Sequence, residues 1–196
     1  GKQEQLLDEL LSAVWSQQQQ LTEIRRQAVD SSEPPLLTQA FETVRPQSAV
    51  IKEKTVDWAE RILVIYSPTL AEASKQALAQ RLEQAQTALL ALTPPPGRGK
   101  RQFCELPPLQ AAVAAILERY QVADLLTITY LRHESQRTVR PYQERPARTE
   151  TTVRYQLQLS PNAEAIQQQQ RKLGWRLFVT NAPATQLSLQ DAVLAY

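Results

Sequence analysis

Two leucine-patterned segments separated by three consecutive prolines constrain the fold more than any other feature of this chain. Apolar residues of the first segment recur at alternating intervals of four and three, which is the spacing of one helical face: Leu78, Leu82, Ala85, Leu89 and Leu92. The second segment also has helical spacing: Leu109, Val113, Ile116, Leu117 and Tyr120. Pro94 to Pro96, between them, cannot be helical. We therefore predict two helices that pack as an antiparallel hairpin.

The N-terminal third has one helical pattern and two strand patterns. Residues 3–19 carry leucines at helical spacing and predict an amphipathic helix. Strands are predicted over Phe41–Val50 and Thr55–Tyr66, and the apolar run Arg61–Tyr66 is typical of a strand buried on both faces. We expect these strands to lie in a mixed sheet. Ahead of the hairpin, Thr69 has a glutamate three residues later, the spacing of a capping box.

Two further strands are predicted beyond the hairpin. Alternating apolar residues indicate Leu125–Arg132 and Thr151–Leu159, paired antiparallel. The link between them, residues 133–150, is polar, and we predict that it is an irregular loop. Loops of this length are usually functional or disordered.

The C-terminal part predicts a helix, a strand and the start of another helix. Ser160-Pro161 is predicted to cap a helix that ends at Leu173, with Gly174 as its C′ glycine. A buried strand, Trp175–Thr180, follows, and Trp175 is interpreted first as a core residue. These elements would form one helix–strand unit.

The last helical pattern runs from Leu187 to Tyr196. Ser188 and Asp191 have capping-box spacing, and the apolar residues after them recur at the helical period. No glycine, proline or basic last turn follows. We therefore expect the chain to be a piece of a longer protein.

Positive charge is concentrated in the middle of the chain. The formal net charge is +2, yet residues 1–60 carry 6 basic and 10 acidic groups whereas residues 93–155 carry 10 and 6. The basic residues form two groups, one at the hairpin connection and one in the long link: Arg98, Lys100 and Arg101, then Arg137, Arg140, Arg145 and Arg148. Arginines interleaved with Tyr142 suit phosphates and unpaired bases. A solvated charged loop explains the same composition equally well.

The residue inventory excludes several classes of site. Cys104 and His133 are each the only residue of their kind, which excludes a Cys/His zinc site and an internal disulfide. A nucleophilic pair of these two residues would lack a recognisable catalytic context. Carboxylates do not converge into a two-metal site, so no catalytic residue and no metal ligand is assigned. The absence of a long apolar run or signal peptide predicts a cytoplasmic protein with no membrane partner.

Four blocks of the sequence, in this order, carry a family resemblance: Trp58–Val64, Arg98–Arg101, Leu173–Pro183 and Leu187–Tyr196. They resemble the DDE transposases of bacterial insertion sequences, within the group that has a Tyr-Arg-Glu-Lys signature. Tyr196 matches the opening Tyr of that signature. The resemblance covers almost the whole chain, and its last two blocks are the most specific.

The resemblance implies an RNase-H-like core in which two Asp and one Glu hold two Mg²⁺ ions. These ions serve phosphodiester cleavage and strand transfer at the transposon ends. The two Asp would precede Gly1 and the Glu would follow Tyr196, so Mg²⁺ is expected in the intact enzyme and no cofactor in this chain. The implied partner is transposon-end DNA, and the resemblance allows a homodimer.

We predict an α/β fragment, a partial RNase-H-like transposase core with a helical-hairpin and β-strand insertion domain. Its regions are residues 1–66 (N-terminal helix and mixed strands), 67–160 (insertion region) and 161–196 (core helix–strand–helix unit). This chain alone is expected to bind DNA through the two basic groups without performing strand transfer. The alternative is a protein-interaction module built on the helical hairpin, with no DNA role.

Overall fold

A computed structural model describes residues 2–25, 36–97, 99, 102–139 and 148–195. The chain divides into two compact units, Gly1–Lys75 with Gln170–Tyr196 (unit 1) and Gln76–Gln169 (unit 2). Besides a short 3₁₀ helix at Ala123–Leu125, the elements are α1 (Lys2–Trp15), β1 (Thr22–Arg25), β2 (Leu36–Ile51), β3 (Lys54–Tyr66), α2 (Pro68–Leu92), α3 (Leu106–Tyr120), β4 (Leu126–Val139), β5 (Arg148–Pro161), α4 (Ala163–Lys172), β6 (Trp175–Thr180) and α5 (Leu189–Leu194). The prediction of a mixed helix and strand chain is confirmed. Within the described residues, no helix is long and apolar enough to cross a membrane.

Unit 1 is built on a four-stranded sheet with the order β1-β2-β3-β6. All three pairings are antiparallel, so the expectation of a mixed sheet is wrong. The reason is where the chain leaves and re-enters the sheet. Strand β3 ends at Tyr66, β6 begins at Trp175, and these two residues are paired. A strand that begins beside the end of its neighbour must run in the opposite direction.

Helix α1 covers one face of this sheet. The residues buried at the centre of the contact are Leu11, Phe41, Ile62 and Val64. Trp175 is half-buried against them, and its ring lies 5.0 Å from that of Tyr66, which supports its interpretation as a core residue. The helix ends at Trp15 rather than at residue 19, because Gln17 has a left-handed backbone with a φ of 59°.

A second apolar cluster lies on the opposite face of the sheet. Its members are Ile24, Ala40, Ile65 and Val193, with Phe178 and Leu189 packed against them. Helix α5 brings Val193 to this cluster, and its predicted cap is confirmed, since the Asp191 amide donates to Ser188 Oγ at 3.0 Å. The helix is described over six residues, and Tyr196 lies outside the described part of the chain.

A buried arginine fastens the segment before α5 to the sheet. The Arg61 side chain is 7% exposed, and its Nε donates to Glu42 Oε2 at 2.9 Å. The same guanidinium donates to the backbone carbonyls of Ala182 and Leu187. A buried charge is tolerated only when it is paired and hydrogen-bonded. Arg61 meets that condition, because Glu42 pairs its charge and two carbonyls accept its remaining hydrogen bonds. These partners are distant in sequence, so Arg61 joins separate parts of the chain.

Gly174 permits a close approach between the start of β6 and the first turn of α2. Its φ is +87°, and a Cβ there would lie 2.5 Å from Ala71 Cβ and 2.9 Å from Ser67 O. No other residue type fits this position without displacing the backbone. The predicted left-handed glycine after the helix is therefore confirmed.

The cap of α2 differs from the prediction. The Leu70 amide donates to Ser67 Oγ at 3.3 Å, so Ser67 caps the helix and Pro68 is its first residue. The predicted capping box from Thr69 to Glu72 is therefore wrong. Proline at the first helical position has a φ that is already helical and lacks an N–H that would have no partner there.

The leucine-patterned part of α2 and the whole of α3 lie in unit 2, as two helices that the sequence predicts. Five of the ten seam residues are buried and the other five are half-buried; the buried ones are Leu78, Ala85, Leu89, Leu109 and Val113. Arg81 on α2 donates to the side chain of Gln121, directly after α3, at 3.3 Å. Since the chain passes from the end of α2 into α3 and α3 ends beside Arg81, the two helices run antiparallel, as predicted.

Strands β4 and β5 are longer than predicted. Residues 133–139 continue β4, and residues 148–150 begin β5. The prediction of an irregular link is therefore wrong for these residues, and residues 140–147 lie outside the described chain. Backbone pairing continues here although the side chains are polar, which is why the apolar pattern did not show it.

The cap of α4 is also corrected. Pro161 is still part of β5 and is paired with Leu126. Asn162 caps the helix, with its Oδ1 accepting from the Ala165 amide at 3.2 Å. The Asn162 amide and side chain donate to the carbonyls of Leu125 and Asp124, which a Ser160-Pro161 cap could not do.

Candidate nucleic-acid interface

The predicted basic sites that the structure describes lie on a two-stranded antiparallel ribbon formed by β4 and β5. Pairing is continuous from Leu126 opposite Pro161 to Val139 opposite Arg148. Each strand has 14 residues, so the ribbon is about 45 Å long at a rise of about 3.3 Å per residue. A ribbon of this kind is one of the two elements that the major groove of duplex DNA admits.

One face of the ribbon is apolar near its base. Because side chains alternate between faces, the same side holds a set of apolar residues from both strands: Leu126, Ile128, Tyr130, Val153, Tyr155, Leu157 and Leu159. Leu126 and Leu157 are buried and the others are half-buried. Burial raises the pKa of Tyr130. This apolar face attaches the ribbon to the rest of unit 2.

The opposite face, here called the polar face, is almost entirely hydrophilic. Its residues on β4 are Thr127, Thr129, Leu131, His133, Ser135, Arg137 and Val139, and those on β5 are Arg148, Glu150, Thr152, Arg154, Gln156, Gln158 and Ser160. Three of the four charged groups are arginines, and all four lie toward the distal end. A face with this composition gains little from burial in a protein core and is suited to an anionic partner.

A single carboxylate opposes the arginines of the polar face. Glu150 lies across the ribbon from Arg137 and accepts from Arg148 at 2.5 Å. The side chains of this ion pair are 65% and 47% exposed, and exposed pairs contribute little to stability. One carboxylate cannot neutralise Arg137, Arg148 and Arg154 together. The distal polar face therefore keeps an excess of positive charge.

The ribbon is fixed along the outer edge of β5. The Tyr155 amide donates to Phe103 O at 3.0 Å, and the Leu157 amide donates to Thr93 Oγ1 at 3.1 Å. Gln102 Nε2 donates to Pro94 O at 3.0 Å and closes the same connection. The residues on either side of the basic segment 98–101 are thus held against β5.

The structure places two of the seven predicted DNA-binding residues. Arg137 and Arg148 lie close together at the distal end of the ribbon, on paired strands rather than on the predicted loop. The remaining five predicted residues lie outside the described residues: Arg98, Lys100, Arg101, Arg140 and Arg145.

Two residues of the polar face were missed by sequence reasoning. Arg154 follows Arg148 at an interval of six along β5, an even number that keeps both side chains on one face. His133 lies across from Arg154, and its Nε2 is 3.2 Å from Gln156 Oε1. The period-two pattern of polar residues in the β5 segment was the signal that could have found Arg154.

The other candidate chemical groups are dispersed. Cys104 is exposed in the connection before α3, and Asp191 lies in the first turn of α5, where its amide donates to the cap residue Ser188. Asp57 and Glu60 lie within β3. Among the described residues, no group of three or more His, Cys, Asp or Glu side chains could hold a metal ion.

Comparisons with protein-family models, with curated proteins and with solved structures found no match to this chain.

Proposed function

We propose that this chain is a fragment of a DNA transposase of the insertion-sequence DDE type, and that its own role is to bind DNA. The observation that carries the DNA-binding part is the polar face of the β4–β5 ribbon. Three arginines with a single carboxylate among them project from an element that is narrow enough to enter the major groove. The resemblance of the sequence to such transposases supplies the rest.

Electrostatics favour duplex DNA as the ligand of the polar face. Each arginine that neutralises a phosphate releases a counterion, so affinity falls steeply as salt rises. Thr152, Gln156 and Gln158 lie on the same face and add hydrogen-bonding groups. Guanidinium groups also match phosphate oxygens in a two-pronged geometry that lysine cannot reproduce.

The test compares two triple variants of equal charge change. In the first, Arg137, Arg148 and Arg154 are replaced by Gln on the polar face. In the second, Arg81, Arg119 and Arg132 are replaced by Gln; these belong to the same unit but do not lie on the polar face. Binding of a fluorescent duplex is measured by anisotropy at several salt concentrations.

The polar-face variant is expected to lose at least about tenfold in affinity, and its slope of log affinity against log salt falls by about three. The matched variant is expected to stay within about threefold, since it loses only long-range attraction. Equal losses in the two variants would show that net charge alone attracts DNA. An absence of binding at low salt would refute the proposal.

We further propose that unit 1 belongs to an RNase-H-like core. The proposal is supported by strand β6 leading into the capped helix α5, the point at which the resemblance expects the glutamate-bearing helix to begin. We assign no catalytic step to this chain. A Glu codon about two helical turns after Tyr196 in the surrounding reading frame would support the assignment, and its absence would refute it.

The alternative function, a protein-interaction module on the helical hairpin, has less support. Its apolar seam is already occupied, since residues such as Leu89 and Leu109 are fully buried. Leu90 is the exposed leucine of α2, at 53%. One exposed leucine is ordinary for a protein surface.

A further inference from the structure

Strands β2 and β3 continue beyond the sheet as a hairpin, here called the distal hairpin (residues 45–60). Strand β1 pairs with β2 only over Leu36–Ala40, and β6 pairs with β3 only over Arg61–Tyr66. Within the described residues, both outer edges of the distal hairpin therefore lack a neighbouring strand. Exposed strand edges carry unpaired N–H and C=O groups that can pair with another chain.

The distal hairpin exposes several of its apolar side chains. Val56 and Trp58 are 43% and 40% exposed, and Ile51 is 55% exposed on the same face. Trp58 Nε1 donates to Glu60 Oε1 at 3.3 Å, and Gln47 Nε2 donates to the other oxygen of Glu60 at 3.0 Å. These bonds hold the Trp58 ring in place while leaving it accessible. Contiguous apolar residues of this kind mark interaction surfaces.

The two edges of the distal hairpin are not equivalent. Strand β2 carries Pro46, and a proline within a sheet is confined to an outer edge because it has no N–H to donate. That edge is therefore a poor template for a further strand. The β3 edge from Lys54 to Glu60 contains no proline and is the edge open to pairing.

The sequence of the β3 edge complements itself. If two copies pair antiparallel about Asp57, Lys54 of each copy lies opposite Glu60 of the other. Val56 then lies opposite Trp58 twice, an aromatic and β-branched pair of the kind that stabilises sheets. These four residues share one face of β3, so the apolar surface would continue from one copy to the next. Asp57 opposite Asp57 is the one unfavourable pair.

Neighbouring registers lack this complementarity. A shift by one residue in one direction places Glu53 opposite Glu60. A shift in the other direction places Lys54 opposite Arg61, whose outer edge is already paired with Thr180 of β6. A one-residue shift also turns the Trp58 face of one copy away from that of the other.

We propose that this protein forms a twofold-symmetric dimer in which the β3 edges from Lys54 to Glu60 pair antiparallel about Asp57. The occupant of the exposed edge is thus a second copy of this chain. Seven residue pairs form an interface smaller than the standard size, so we expect a dissociation constant on the order of 10 to 100 µM. A twofold pairing of this kind closes on itself and stops at the dimer.

The test is a charge exchange read out by sedimentation equilibrium, without DNA. Lys54→Glu and Glu60→Lys, made singly, each place like charges opposite one another twice per dimer and should weaken association at least about fivefold. The double variant restores opposite charges and should return to within about threefold of the original protein. Asp57→Asn removes the unfavourable pair and should strengthen association at least about threefold.

The double variant also separates association from folding. Glu60→Lys loses the hydrogen bonds from Trp58 and Gln47, and this loss remains in the double variant, so recovery of the dimer there reports on pairing between copies. Circular dichroism verifies that each variant is folded. A monomer at all concentrations, a dimer that ignores the charge exchange, or oligomers that keep growing with concentration would overturn the proposal.

Discussion

The distal hairpin and the β4–β5 ribbon share a backbone construction and differ in side-chain chemistry. Both are long antiparallel pairs whose bases are packed and whose outer parts project from their own unit. The outer part of the distal hairpin carries exposed apolar residues such as Val50, at 72%, next to its charged turn. The outer part of the ribbon carries charged residues such as Arg148, whose side chain is 65% exposed. Backbone pairing therefore sets the shape of such an element, and its side chains set the chemistry of the surface it exposes.

The two elements also differ in how their bases are fixed. At the base of the distal hairpin, a buried arginine, Arg61, joins β3 to the segment before α5. At the base of the ribbon, Leu126 and Leu157 are buried and backbone amides of β5 bond to the connection between α2 and α3. The base of the distal hairpin therefore depends on a paired charge, and the base of the ribbon depends on apolar packing. Substitutions at the two bases can test this difference.

The largest expected effect concerns the paired charge. Arg61→Met should lower the free energy of unfolding of unit 1 by about 3 kcal/mol, because it leaves Glu42 and two carbonyls without their donor. Arg132→Met on the ribbon should change the free energy of unfolding of unit 2 by less than about 0.5 kcal/mol, since Arg132 and Glu134 form an exposed pair.

Urea unfolding followed by tryptophan fluorescence measures this effect in unit 1 alone. All three tryptophans, Trp15, Trp58 and Trp175, belong to unit 1. Circular dichroism reports both units, so a transition that it shows and tryptophan fluorescence does not is assigned to unit 2. If Arg61→Met left the fluorescence transition of unit 1 unchanged, the buried network around Arg61 would not support the sheet.

The next effect tests which face of the ribbon is packed. Leu157→Ala, on the apolar face, should cost about 2 to 3 kcal/mol, because Leu157 is 3% exposed. Leu131→Ala, on the polar face, should cost less than about 1 kcal/mol, because Leu131 is 37% exposed. The circular dichroism transition of unit 2 in urea gives both values. Since a one-residue change of register exchanges the faces, the reverse order of effects would show that β4 and β5 pair differently.

Hydrophobic periodicity predicted the elements that have an apolar face. Helices α2 and α3 are predicted because their apolar residues repeat at helical spacing. The strand Arg61–Tyr66 is predicted because its apolar residues are nearly continuous. Strand β1, Thr22–Arg25, was missed because four residues contain too little pattern. The outer part of β4 was predicted as a loop because neither of its faces is apolar there, so its strand conformation depends on β5 across the ribbon.

Long-range pairing limited the prediction of the site as well. Arg137 and Arg148 were selected by composition, but only the register shows that they share a face with Arg154 and with the opposing Glu150. The burial of Arg61 depends on Glu42 and Leu187, which no local pattern connects with it. Local sequence therefore indicated which residues carry charge, whereas tertiary structure determines which of those charges meet.

The smallest effect concerns the turn of the distal hairpin. Lys52 and Glu53 form a two-residue turn with φ values of 49° and 65°, the left-handed pair that a type I′ turn requires. Neither residue type favours that conformation, which Asn-Gly adopts readily. Lys52→Asn with Glu53→Gly should therefore raise the free energy of unfolding of unit 1 by about 1 kcal/mol, measured by tryptophan fluorescence in urea.

A matched control for the turn exists in unit 2. Gln121 after α3 has a φ of 54°, so Gln121→Gly should relieve a similar conformational cost and stabilise unit 2 while leaving the tryptophan transition unchanged. The turn exchange should stabilise the distal hairpin, because no neighbouring strand holds the register of its outer part. The ribbon differs, since backbone amides of β5 are bonded to the connection between α2 and α3. If Asn-Gly instead lowered the stability of unit 1, the Lys52 and Glu53 side chains would stabilise the turn, and their unfavourable backbone conformation would not be its dominant cost.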